Sequence, residues 1–436
     1  MALQIGEIRT VPFTDTALLG SGVGRIGEMA VFCPGTVEGD TAEIRILSVK
    51  KRYAEAELVR ILTPAPCRCS PDCSAFGQCG GCTFRHISYE AEASLKEKAV
   101  HAALRRFSEI QWEPIHTGAA AQYRNKAVFH LNGQFRAGYY AAATNEHIDL
   151  PGGNCDLLPS LFARIAETTR QILTESSHPL PFRALAVRKS TANTFTAVLH
   201  ADEMNTDIRA AAEHWTERTA HQMPEAVGLF LAHGMPEDRD VRYECLLGEP
   251  YLTDEFLGLT LRISPAAFYQ VNHDVAEEMC RTIARYADLQ PGETAADLYC
   301  GTGTIGLTLA SLSPDAFVTG IEINESAVRD AIANAEANGI GNIRFRCGDS
   351  ATAEREGLHF DCVVIDPPRK GCSPGMLSVL TRLSPRRIVY VSCNPATLAR
   401  DAAALAEQGW QIVRAQPFDM FPRTGHCETV CLLHRN

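Results

Sequence analysis

The cysteines of this 436-residue chain are the first residues whose type and spacing could do chemistry. Cys67, Cys69, Cys73, Cys79 and Cys82 all fall in CRCSPDCSAFGQCGGC. Thiolates hold zinc or iron–sulfur clusters, and the spacing of Cys73, Cys79 and Cys82 bends three sulfurs toward one centre, with Gly80 and Gly81 easing the turn. A fourth ligand then has to come from elsewhere in the chain. Spacing alone does not choose the metal, and a set of buried free thiols is the plain alternative. A separate cysteine, Cys393 in RRIVYVSCNPATLARD, ends an apolar run just before an Asn-Pro turn. Open α/β sheets gather reactive groups at such strand ends, whereas most lone cysteines are small buried hydrophobes.

A second grouping is DLYCGTGTIGLTLA (Asp297–Ala310), where Gly301, Gly303 and Gly306 form a G-x-G-x-x-G pattern between a predicted strand and a predicted helix. By itself this pattern serves dinucleotides, S-adenosylmethionine (SAM) or a mere turn. The carboxylates narrow it. Glu322 ends the next predicted strand, where it can accept both hydroxyls of a ribose. Asp349 ends the third, within reach of an adenine, and Asp366 opens DPPRKG after the fourth. With Asp297 at the mouth of the loop, the series resembles class I SAM-dependent methyltransferases more than dehydrogenases.

The elements that must position these residues fall into three stretches. Residues 1–62 alternate apolar positions between glycines and read as five short strands, hence a small β-barrel of the OB-like kind. TPAP (Thr63–Pro66) is a linker, because its prolines suit neither helix nor central strand. Residues 63–262 hold the cysteine segment, an amphipathic helix from about Tyr89 to Phe107, and mixed strand and helix patterns that predict an α+β domain. From 263 to 436 short apolar runs alternate with helical ones, starting with a helix capped by Asn272, which predicts a doubly wound, Rossmann-like α/β sheet whose last two strands pair antiparallel.

Composition sets the outer limits. Hydrophobic residues make up 45% and charged residues 21% of the chain, which excludes a disordered or fibrous protein. No apolar run is long enough for a membrane helix and no secretory signal opens the chain, so a cytoplasmic protein is expected. In that reducing setting, 16 cysteines point to metal or chemistry rather than disulfides. A net charge of −11 disfavours nucleic acid unless a local basic face overcomes it.

Several motifs resemble known families. GSGVGR (Gly20–Arg25), VFCPGTVEGD (Val31–Asp40) and KKRYAEAELVRIL (Lys50–Leu62) resemble a TRAM domain, an RNA-binding five-stranded barrel. CSAFGQCGGC before a Tyr-Glu-Ala helix, with FYQVN, DLYCGTGTIG, DPPRKG, VSCNP and DMFPRTGHCETV, resembles the bacterial RNA uracil-5-methyltransferases that carry a 4Fe-4S cluster. The resemblance implies cluster ligands Cys73, Cys79, Cys82 and the distant Cys155 of HIDLPGGNCDLL, with Cys67 and Cys69 outside the pattern. It implies SAM contacts from Gln270, Tyr299, Glu322 and Asp366, beside Gly301, Gly303 and Asp349 of the loop and strand ends. Thr304 stands where some members have Asn.

The implied reaction needs a thiol for a chemical reason. Carbon 5 of uracil is a weak nucleophile until a thiolate adds at carbon 6 and turns the ring into an enolate. Cys393 is the implied nucleophile and Glu428 the implied base that removes the proton from carbon 5, with His426 as a second candidate. Asp-Pro-Pro-Arg argues against methylation of the adenine amino group. Cytosine-5 enzymes carry a further cysteine directly after this motif's proline, where this chain has Pro368-Arg369 and Cys372 only later. The expected substrate is 23S ribosomal RNA, with tRNA as the alternative and a non-catalytic iron–sulfur RNA-binding or sensor protein as the reading from another class. Such a protein would have no use for Cys393, Glu428 and the glycine loop together. A monomer with no membrane partner is expected, with a local basic face that includes Arg124, Lys126, Arg369 and Lys370.

Overall fold

Alternation in the first stretch resolves into strands β1 (Ile8–Thr16), β2 (Ser21–Ile26), β3 (Met29–Pro34), β4 (Thr41–Val49) and β5 (Tyr53–Thr63), which close a barrel in the order β1-β2-β3-β5-β4. Val11, Phe13, Val31, Ile44 and Ile46 fill its interior. The computed structural model describes residues 3–142, 144, 146–150, 153–175, 180–238, 240–356 and 359–435. Asp40 fastens the barrel to the cysteine segment: its carboxylate accepts from Val37 N and Ala65 N and pairs with the Arg68 guanidinium at 2.7 Å.

Helix α1 (Tyr89–Ala103) starts where the Ser88 hydroxyl accepts from Ala91 N at 3.3 Å. It buries Val100, and Leu104 just beyond it, against the C-terminal sheet. After it the two residues of β6 (Gln111–Trp112) pair with a strand of that same sheet. The stretch 63–262 is therefore divided in space. Its remaining strands are β7 (Lys126–Leu131), β8 (Ala137–Tyr140), β9 (His147–Asp149), β10 (Phe182–Lys189), β11 (Phe195–Ala201), β12 (Ala226–His233) and β13 (Arg242–Gly248), in the order β13-β12-β11-β10-β7-β8-β9. Helices α2 (Ser160–Thr174) and α3 (Thr206–Gln222) contribute Phe162, Ile165 and Trp215 to its core. A hairpin of β14 (Leu252–Phe256) and β15 (Leu259–Ile263) leads into the C-terminal stretch.

There the chain runs α4 (His273–Ala287), β16 (Thr294–Leu298), α5 (Thr304–Leu312), β17 (Phe317–Glu322), α6 (Glu325–Ala337), β18 (Ile343–Cys347), β19 (Cys362–Ile365), α7 (Pro374–Leu383), β20 (Arg387–Ser392), α8 (Pro395–Ala406), β21 (Trp410–Phe418) and β22 (Glu428–Arg435). The sheet order is β18-β17-β16-β19-β20-β22-β21-β6, parallel from β18 to β20, with β22 antiparallel to both its neighbours. The strands are apolar on both faces because both are covered: Val389, Val391 and Val430 join one core, Ile388, Tyr390 and Cys431 the other. Strand order reverses direction between β16 and β19, the switch point where open α/β sheets bind ligands. Asn272 holds the N-cap position of α4, yet its side chain makes no capping bond. No helix among the described residues is long and apolar enough to cross a membrane.

Candidate active site

The glycine loop hangs from β16 at the switch point. Asp297, fully buried, accepts from Gly306 N at 2.7 Å through Oδ2 and so ties the start of α5 back to the strand. Burial pushes its carboxyl up to about 7. Tyr299 turns the chain out of the strand with φ at +67°, a conformation rare for a bulky residue, held by bonds from its N–H to Ile321 O and Ser350 Oγ. Gly303 has φ at +83°, and a Cβ there would lie 2.6 Å from Phe345 Cζ. At Gly301 the space a Cβ would take is open, which leaves the loop's inner side clear for a ligand.

The carboxylates line the same edge. Glu322, at the end of β17, accepts from Gly301 N at 3.2 Å and from Asn324 N at 2.8 Å. Asp349 is exposed beyond β18 and accepts from Ala351 N at 2.9 Å. Asp366 follows β19, half-buried. Gln270 is fixed through its backbone, whose carbonyl accepts from Asn125 Nδ2, while its side-chain Oε1 is buried with no hydrogen-bond partner. An orphaned acceptor, an open loop and a strand-end carboxylate suit a SAM-sized ligand with amino and hydroxyl donors. Thr304 is the first residue of α5.

Cys393 and Glu428 are brought together by register. Ser392 pairs with Thr429 across β20 and β22, so the next residues along this antiparallel pair, Cys393 and Glu428, face each other at the sheet's edge. Asn394 then caps α8, its Oδ1 accepting from Ala396 N at 3.0 Å, and Pro395 occupies the first helical turn. Burial pushes the Cys393 thiol up to about 11, helped by the charges of Glu428 and Asp366 and opposed by Arg369. Glu428 is 6% exposed, and burial together with Asp366 raises its carboxyl to about 8 against the pull of Arg369. Asp366 rises to about 7 by burial. A thiol and a carboxyl thus sit at the same strand end, both raised by burial and by each other's neighbours. Arg369 Nη2 lies 3.3 Å from His426 Nδ1, and burial first, then Arg369, lowers the imidazole.

Cys393 and His426 open into a cleft of about 460 Å³. Its far wall is the barrel turn Asp15–Leu19 and the flank of α1 with Leu95 and Lys98. A Cβ on Gly425 would come 1.9 Å from Leu18 O, so barrel and catalytic sheet touch there. These walls carry no motif, and nothing in the sequence marks them. Of the expected basic face, Arg369 and Lys370 are exposed, and Arg369 lines the cleft with Cys393. Arg124 and Lys126 are half-buried instead: Lys126 opens β7 opposite Arg188, and burial brings its ammonium down to about 8.

The cysteine segment docks on the central sheet through Gly80 N to Tyr140 O and Ala142 N to Gln78 O. Cys73, Cys79, Cys82 and Cys155 are half-buried. Cys82 accepts from Arg85 Nε at 3.3 Å and feels the charges of Cys79 and Cys73. Cys79 accepts from Gly81 N at 3.4 Å. Burial pushes the Cys155 thiol up to about 11, with Cys82 adding to it. Among the described residues no three His, Cys, Asp or Glu side chains converge on a single-ion geometry. Thiols are the donor type that iron–sulfur clusters and zinc take, and Arg85 is the one side-chain donor seen on them among the described residues. Cys69 is exposed, its thiol directed to Arg85 O.

Comparison with known proteins agrees with this architecture. The profile of tRNA (uracil-5-)-methyltransferases matches residues 256–436, and that of the TRAM domain matches residues 2–59. An uncharacterized RNA methyltransferase of Nostoc sp. is 35% identical over 98% of this chain and 96% of its own length. Another, from Gloeobacter violaceus, is 33% identical over 100% and 98%. The solved tRNA (uracil-54, C5)-methyltransferase of Pyrococcus abyssi, in complex with S-adenosyl-L-homocysteine, shares the fold with a TM-score of 0.75 over 97% of this chain and 99% of its own, at 23% identity. With its barrel, switch-point loop and matching relatives, the chain belongs to the SAM-dependent RNA uracil-5-methyltransferase family, carrying a TRAM domain ahead of the catalytic sheet.

Proposed function

We propose that this protein methylates carbon 5 of a uridine in RNA through a covalent adduct with Cys393. SAM, held by the glycine loop, Gln270, Glu322 and Asp366, supplies an electrophilic methyl group. Cys393 adds to carbon 6 of the uracil, and the enolate so formed takes the methyl at carbon 5. Glu428 then removes the proton from carbon 5, the ring double bond re-forms and the thiolate leaves. The observation that carries this reading is the β20–β22 register, which sets Cys393 and Glu428 side by side at the edge of the switch-point sheet. Thiol and carboxyl are both raised at rest, which suits groups that ionise as a cationic cofactor and the RNA close the site. The uracil has to leave its stack to reach them, so the target is an unpaired or flipped uridine.

The substrate we propose is 23S ribosomal RNA, on the pairing of a TRAM barrel with a cysteine segment. The cysteine segment is read as a 4Fe-4S site with ligands Cys73, Cys79, Cys82 and Cys155, a structural clip rather than a redox centre, since the reaction moves no electrons. A second reading, tRNA, draws on the substrate of the solved Pyrococcus abyssi relative. Incubation with methyl-labelled SAM and each RNA decides between them. Labelled carbon 5 on ribosomal RNA and a 5-fluorouridine adduct that disappears in Cys393→Ala are the expected results. Label on tRNA alone overturns the substrate, and an undiminished adduct in Cys393→Ala overturns the nucleophile.

A further inference from the structure

Residues 419–427 connect β21 to β22, carry His426, and deliver the chain into Glu428. What holds this connection lies behind it, away from the cleft. Lys96 of α1 is fully buried, with Nζ 2.7 Å from Glu92 Oε1, 2.7 Å from Asp419 Oδ1 and 3.2 Å from Phe421 O. Glu92 Oε1 also accepts from Arg423 N at 2.7 Å, where the backbone turns with φ at +70°. Tyr123 Oη donates to Pro422 O at 3.0 Å, and Asp419 N donates to His116 O at 2.8 Å. One ammonium therefore fixes the connection directly at Asp419 and Phe421, and through Glu92 at Arg423. A buried lysine between two carboxylates is a poor way to gain stability, since apolar side chains of the same volume do as well. It is a good way to allow one geometry and no other.

We propose that Lys96, with Glu92 and Asp419, is a positioning residue for the base Glu428. The inference rests on the roles given above to Cys393 and Glu428. Addition of the thiol and methyl transfer use β20 and the glycine loop, which Lys96 does not touch. The connection also lines the cleft through Gly425 and His426, but of the groups that make or break bonds only Glu428 follows directly from it. In the last step Glu428 takes the proton from carbon 5, the electron pair of that bond re-forms the double bond between carbons 5 and 6, and the carbon 6–sulfur bond breaks to release Cys393 as thiolate. A connection free to shift by an ångström slows this step more than the earlier ones.

The test compares two RNAs with the full-length Lys96→Met protein. With 5-fluorouridine RNA there is no proton to remove at carbon 5, so adduct formation reports only the earlier steps and is expected to match the wild type. With uridine RNA, turnover is expected to fall about 100-fold, the scale of a one-ångström misplacement, and the methylated covalent adduct is expected to accumulate, as is also expected in Glu428→Gln. Unchanged turnover overturns the proposal, as does parallel loss of both readouts in a variant with a native near-ultraviolet spectrum. Where Lys96→Met does not fold, Asp419→Asn keeps the volume, loosens only the connection's end of the network, and is judged by the same split. Accumulation in Glu428→Gln without accumulation in either network variant overturns the role of Lys96 alone. No accumulation in Glu428→Gln removes the base assignment and this inference with it.

Discussion

The edge of the C-terminal sheet and the cysteine segment hold their reactive groups by opposite means. At the sheet edge, strand pairing does the work: Cys393 and Glu428 follow from the register of β20 and β22, above strands packed with Val389, Val391, Val430 and Leu432. Between β5 and α1 there is neither strand nor helix, and the local core is little more than Val37, Ala65, Phe84 and Ile87. Turns, one N–H on Cys79 and one guanidinium on Cys82 shape the thiols there. The first arrangement is organised before any ligand arrives, so losing a functional side chain should cost chemistry and spare the fold. The second has little core of its own, so if its thiols hold a cluster, losing one should cost structure.

The sharpest test of the first half is Glu428→Gln. Methyl turnover is expected to fall by about 10²–10⁴, the usual weight of a general base. Stability should move the other way, and its pH dependence gives the sign. The folded protein raises Glu428 to about 8, above its value in the unfolded chain, so it holds this proton more tightly than the unfolded chain does. The benefit is complete below the unfolded value and is lost as pH rises through about 8. Gln does not ionise. Thermal melts should therefore coincide near pH 4, and the variant should be more stable near pH 9 by a few kcal/mol. A variant no more stable at high pH would mean that the register does not bury this carboxyl.

Cys82→Ser tests the second half. If four thiols bind a cluster, the purified wild type absorbs visible light and the variant does not. Stability should drop by about 4 kcal/mol or more, the range seen when a structural metal is lost. SAM affinity should change little, because the glycine loop is built by β16 and α5. An unchanged melting temperature would show that the segment supports itself, and the contrast between the two regions would fail.

The same contrast explains what the sequence made legible. The glycine loop, the strand-end carboxylates, Cys393 and the cysteine run are each local patterns, written within one turn or one strand. The five barrel strands are equally local, being periodicities of period two, and the final pair shows as two adjacent apolar runs. What stayed hidden depends on distant contacts. Glu92 and Lys96 are spaced like any i,i+4 pair on a helix surface, and their burial comes with Asp419, 323 residues further on. β6 is two residues long, too short for any periodicity, and joins the C-terminal sheet solely by pairing with β21. Lys126 is polar in an otherwise alternating strand, so its partial burial beside Arg188 follows from sheet order rather than from pattern.

Two arginines carry the comparison to its smallest effect. Arg85 belongs to the cysteine segment, is 3% exposed, and is paired with Asp72 as well as with Cys82. Arg369 stands exposed beside Cys393, with His426 its nearest partner in the cleft. Replacing Arg85 with Ala should lower stability and leave the salt dependence of RNA binding alone, because a cation already engaged by protein anions releases no counterions from RNA. Replacing Arg369 with Ala should leave the melting temperature unchanged, weaken RNA binding, and reduce the slope of log affinity against log salt by about 1. It should also move the wild-type pH–rate profile. Arg369 pulls both Cys393 and Glu428 downward, so without it both groups ionise at higher pH, and any rise in rate that follows their ionisation is expected at higher pH. An Arg369→Ala enzyme with a weaker salt slope but an unmoved pH profile would place this guanidinium on the RNA and not on the reacting pair.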